Sequence, residues 1–172
     1  MSRRNTISRE FFATIAAVLV LGLSVMCAIQ AALSAAYFIG ERKSSLTDVL
    51  NGATALSERF ADEGSIVTKP LQGEDVLERA HSGFELFNTA SGALVFIADE
   101  NGQILLHTGD DAFTGAGVPA SYIDELNEGY DIFETGTLDG VYCDKYYTAG
   151  RRITVGGQDG YLFAASPMAA LG

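Results

Sequence analysis

Charge is missing from one long stretch of this sequence: between Phe11 and Gly40 there is no Asp, Glu, Lys or Arg. About 20 apolar residues rising 1.5 Å each cover a hydrocarbon core of roughly 30 Å, so residues 11 to 36 are expected to form one membrane-spanning helix. A secretory signal is the alternative, because residues 31–36 (AALSAA) offer small side chains to a signal peptidase. Signal-peptide apolar regions run only about 7 to 15 residues, however, and the longer stretch here favours an uncleaved anchor. Arg3, Arg4 and Arg9 precede it against Glu10 alone. Basic residues flanking a span stay in the cytoplasm, which puts residues 1–10 inside and the remainder outside the cell. Arg42 and Lys43 on the far side, beside Glu41, oppose this bias only in part.

Cysteine is as scarce as charge is in that segment. Cys27 falls in the span and Cys143 far beyond it, so no intrachain disulfide is expected and the fold must rest on its own core. With 48% of residues hydrophobic, a domain of this size can build one. Basic residues are few: 11 Lys and Arg stand against 22 Asp and Glu, for a net charge of −11. Removing Arg3, Arg4, Arg9 and Glu10, together +2, leaves residues 11–172 at −13. Such a surface excludes nucleic acid as a partner and disfavours docking to anionic lipid headgroups. Histidine occurs twice, as His81 and His107, with no Cys or His companion at metal-ligand spacing. Neither a nucleophile with its base nor a pair of close carboxylates is recognisable, so no catalytic residue, metal or cofactor is expected. An external hydrolase is disfavoured on the same ground.

What is present beyond the span has helical, then extended, periodicity. Leu46, Val49, Ala53, Leu56 and Phe60 recur at spacings of three and four, one stripe on a helix that continues from the span. The stripe is read as a two-heptad homodimer seam, the alternative being a helix lying on its own domain. Gly64 and Pro70 are expected to end it. A second helix fits residues 74–89, with Leu77, Ala80, Phe84 and Phe87 on one face and Gly92 as its stop. Residues 93–98 (ALVFIA) and 103–107 (QILLH) flank the turn sequence DENG and read as a hairpin. A glycine-rich loop over 108–118 leads to a short helix over 119–128, with proline at its start and Gly129 just past its end. Residues 131–137, 141–148 and 152–155 read as strands separated by Asp139-Gly140 and Ala149-Gly150. A last turn at 156–160 then precedes a strand over 161–165 that Pro167 stops. The fold class is therefore α+β, a mostly antiparallel sheet of about five strands with helices packed on it.

This order, with VFIADENGQILLHTG early and GYLFAASPM at the close, resembles the extracytoplasmic PAS-like (single Cache) sensor domain of bacterial membrane-bound sensor histidine kinases. The resemblance covers roughly residues 41–168, between the cytoplasmic residues 1–10 with their span and a connecting segment at 169–172. It implies a signal-input region of a two-component system, detecting an extracellular stimulus and relaying it through the membrane helix. It also implies an output domain after Gly172, which a chemoreceptor or a cyclic-dinucleotide enzyme could supply instead. A membrane-anchored binding or assembly module without kinase output is the alternative.

Under the resemblance, the loop carrying Asp110 and Asp111 borders a small-molecule pocket, against the plain reading of a solvated loop. His107 closes the strand beside it and joins the candidates, with packing as its other role. Tyr122, Tyr142 and Tyr147 would give apolar walls with polar tips, and Arg152 a partner for a ligand carboxylate, although aromatic faces of this kind are more often core. Cys143 is expected as a small buried hydrophobe.

Overall fold

The computed structural model describes residues 3–61, 74–155 and 158–168. The chain divides into two compact units, Met1–Glu41 and Arg42–Gly172. Helix α1 (Arg3–Ala61) contributes to both. It is the one helix among the described residues long and apolar enough to cross a membrane, with a mean hydropathy of 2.5 in its most apolar window and none of that window buried.

The second unit is an open antiparallel sheet with helices on its faces. After α2 (Glu74–Ser91) come β1 (Leu94–Ala98), β2 (Ile104–His107), a 3-10 turn (Asp110–Ala112), α3 (Ala120–Asn127), β3 (Ile132–Gly136), β4 (Tyr146–Val155) and β5 (Gln158–Pro167). The five strands lie in the order β2-β1-β5-β4-β3. Both faces are covered, and so the central strands are apolar on both sides. Every residue of β1 is buried, which is why its sequence is a continuous apolar run and not an alternation.

One face carries the C-terminal part of α1 together with α2. Leu46, Leu50 and Ala53 of α1 and Ala80 and Phe84 of α2 are buried with Val95, Ile97, Leu162 and Ala164 of the sheet. Of the two readings of the stripe, these contacts fit a helix lying on its own domain. Leu46, Val49 and Ala53 are buried in the protein's own core and Leu56 packs against it. The exposed residues of this part of α1 are mostly polar, among them Ser44, Asp48, Asn51 and Glu58. The side chains of Phe60 and Leu77, and the expected helix stops Gly64 and Pro70, lie outside the described residues, as does the connection at 156–157.

Gly92 closes α2 as its position suggested, with φ 67° and its N–H donated to Asn88 O at 2.7 Å. The β1–β2 turn departs in detail. Asn101 keeps negative φ, and only Gly102 of the pair is left-handed, at 78°. The loop is too long for a two-residue turn, and Asp99 organises it: Oδ1 accepts from the N–H groups of Asn101 at 2.9 Å and Gln103 at 2.8 Å.

The larger correction concerns the last strands. Ala149-Gly150 is no turn; β4 runs through it unbroken, pairing Gly150 with Ile132 on one side and Phe163 on the other. A Cβ at Gly150 would come within 2.7 Å of the Phe163 ring and 2.9 Å of Ile132 Cγ1, so glycine here makes room for flanking side chains. Residues 141–145, expected as strand, instead leave a turn in which Leu138 and Asp139 hold φ of 49° and 50°.

Candidate functional site

The sheet face opposite α1 and α2 gathers most of the chemically interesting side chains. Alternation along β1 and β5 puts Phe96, Tyr161 and Phe163 there, beneath Ile123 and Leu126 of α3 and Leu138, Val141 and Tyr142 of the turn before β4. Phe96 and Phe163 stack at 4.7 Å between ring centroids, and Phe113 meets Phe96 edge-on at 5.3 Å. Phe113 and Tyr142 also form an isolated antiparallel bridge, fastening the loop after β2 to the turn before β4.

Tyr142 is the centre of this cluster. Its ring lies 4.7 Å from that of Tyr146 and 5.6 Å from that of Phe113, and its hydroxyl accepts from Thr148 Oγ1 at 3.3 Å. Burial pushes the phenol well above its ordinary value, so it stays protonated across the physiological range. Tyr146, half-buried, is raised too, first by desolvation and then by Asp144. Tyr122 borders the cluster from α3; desolvation raises it, followed by the charges of Asp139 and Glu134.

His107 joins from the end of β2, its ring 4.7 Å from that of Phe113. Its Nδ1 is buried without a hydrogen bond among the described residues, while Asp110 Oδ1 stands 3.4 Å away. Asp110 and Asp111 are otherwise exposed on the 3-10 turn.

The structure therefore brings His107, Asp110 and Tyr142 around Phe113, with Tyr122 at the border. It separates the remaining candidates. Tyr147 points to the opposite face, where it stacks on Phe133 at 6.3 Å. Arg152 is exposed further along β4 and is paired with Asp159. The neighbouring Arg151 has a different role: its Nε donates to Asp131 at 2.9 Å and its Nη1 to Asn51 at 2.7 Å, tying α1 to the sheet. Cys143 is exposed and not buried, because the turn replaces the expected strand.

Phe113 and Thr148 were not among the sequence candidates. Thr148 becomes visible once β4 is read as one strand, since it then alternates with Tyr146 on the same face. Phe113 carries no such signal, lying in an irregular loop. Among the described residues no group of three His, Cys, Asp or Glu could hold a metal ion. Side chains of the chain itself, Tyr142 foremost, fill the centre of this face. The chain matches no family model and no curated protein sequence.

Proposed function

We propose that residues 41–168 are an extracytoplasmic PAS-like sensor domain, held at the plasma membrane by the span at 11–36, and that the chain is the signal-input region of a sensor histidine kinase. The observation that carries this reading is the use of one helix for two tasks. The α1 segment that follows the apolar stretch has its stripe buried on the sheet, and polar contacts add to that grip. Arg42 Nη1 donates to Ser166 Oγ at 3.5 Å, Asn51 accepts from Arg151, and Lys43 Nζ lies 5.8 Å from the centre of the Phe133 ring.

A stimulus that rearranges the sheet is then felt by α1. A difference in affinity between two states of about 1 to 3 kcal/mol is enough to bias such a relay. The antiparallel sheet with helices on it supports the resemblance, and the three arginines before the span support a cytoplasmic amino terminus. The packed Tyr142 cluster favours an input that acts on the surface of the domain, or displaces Tyr142, over a small molecule enclosed beneath α3.

Translating the gene past Gly172 tests the output. A phosphoacceptor helix and an ATP-binding domain in frame would support the kinase reading, and a stop codon would leave the anchored binding module. Protease added outside intact cells tests the topology: removal of residues beyond about 41 with the amino terminus spared is expected. Recovery of a soluble form beginning near Ala36 would overturn the anchor.

A further inference from the structure

The apolar stretch of α1 contains one carboxamide, Gln30, and its side chain is exposed. At 1.5 Å per residue it sits roughly 9 Å inward of Ala36, where the span ends, at a depth where water does not supply hydrogen bonds. Its amide offers two N–H donors and a carbonyl acceptor, while the helix backbone around it is already paired. Ser24 in the same stretch solves this problem locally, donating Oγ to Val20 O at 2.8 Å. A hydroxyl with one proton can be satisfied within its own helix; a carboxamide is served only in part that way.

Gln30 does not stand alone on its side of the helix. With about 3.6 residues per turn, Cys27, Gln30 and Ser34 fall within an arc of about 60°. Val20 and Leu23 precede them and Tyr37 follows on that side, so the series 20, 23, 27, 30, 34 and 37 alternates steps of three and four, as in a left-handed helix pair. Cys27, Ser34 and the adjacent Ala31 are small, which allows backbones to approach.

We propose that the span pairs with the span of a second copy of this chain along this face, with Gln30 hydrogen-bonded to Gln30 of the second copy. The inference rests on the membrane reading of residues 11–36. A second copy is favoured over an unrelated helix because a two-fold axis sets a residue against itself, and a carboxamide, being donor and acceptor at once, is complementary to its own image. The contact is thus placed in the bilayer and not on the residues of the stripe that the domain's core takes up, Leu46, Val49, Ala53 and Leu56. A single polar residue at such a position also fixes the register of the pair.

Disulfide trapping of the full chain in native membranes tests this. In a Cys143→Ser background, mild oxidation should give dimers through Cys27. With Cys27→Ala added, Leu23→Cys and Ser34→Cys should restore them, and Ile29→Cys and Leu33→Cys should not. Energy transfer between labelled full chains in vesicles should show self-association weakened roughly three- to thirtyfold by Gln30→Leu, the range that interhelical hydrogen bonds span in membranes. Equal trapping on every face, or unchanged association in Gln30→Leu, overturns the pairing. Alkaline washing of the same vesicles separates the two levels of failure. Release of the chain overturns the span and the pairing together, whereas retention without face-specific trapping overturns the pairing alone.

Discussion

Val118 donates its backbone N–H to Gly102 O at 2.7 Å, and its own carbonyl lies against the open side of Gly102, so the loop after β2 is drawn back onto the β1–β2 turn. The contact joins two segments that the chain separates by a strand and a loop, and it leaves no space for a side chain. Gly117 is equally confined, with Gly102 O at 2.8 Å from where its Cβ would stand.

Gly102→Ala should therefore destabilise the protein by more than the roughly 1 kcal/mol that left-handed φ costs a residue with a side chain. Gly115, with φ of 88° and nothing within 4 Å of its Cβ position, is the control. Denaturant midpoints for the two alanine variants should differ, with Gly102→Ala the lower. Equal midpoints would mean that the Val118 carbonyl is not held there.

Gly150→Ala distinguishes a packing glycine from a turn glycine. Its neighbours are the Phe163 ring and Ile132, both buried, and overfilling a packed interior costs about 1 to 3 kcal/mol. The melting temperature should fall. A neutral or stabilising result would restore the turn that the sequence suggested at this position.

Leu50→Ala should cost about 2 to 5 kcal/mol, because Leu50 is fully buried where α1 meets the sheet. Leu56→Glu should unfold the second unit without a preceding loss of mass, since its methyl groups pack over Gly83 in the same chain. Sedimentation combined with circular dichroism on each variant reads this directly. Dissociation into folded monomers would return the stripe to an interface between copies.

Tyr142 gives the domain an alkaline limit. Its folded pKa is raised by burial, so the neutral phenol is the form the fold prefers, and the associated stability is complete below the unfolded value of about 10. That contribution declines as pH rises above this value toward the folded one. Tyr142→Phe should flatten the alkaline arm of a stability profile while costing about 1 kcal/mol near neutrality through the lost Thr148 hydrogen bond. An unaltered alkaline arm would place its control in Tyr146 or Tyr122.

Legibility in the sequence followed how local each cause was. The charge-free stretch, the Gly92 stop, the short helix before Gly129 and the turn begun by Asp99 rest on residues within a few positions of one another, and all can be read off the chain. The strand through Gly150 cannot, because its glycine answers to Phe163 and Ile132 across the sheet. The stripe at 46–56 was visible as a stripe, but periodicity says that a face is buried and not by what. Of the site candidates, His107 and Asp110 meet as near neighbours in the chain, Tyr142 joins them through Phe113 in an irregular loop, and Tyr147 is turned away by the parity of β4.

The order β2-β1-β5-β4-β3 makes β5, the last of the five strands in chain order, the keystone of the sheet. Until β5 has left the ribosome, the β1–β2 and β3–β4 hairpins have no partner for their facing edges, and Phe96, Val95 and Ile132 lack the side chains that cover them. Nascent chains of this domain thus wait with two exposed strand edges, a state open to mispairing between neighbouring chains. Synthesis and assembly are coupled by the strand order itself, and a truncation that removes only β5 leaves two hairpins in place of a shortened domain.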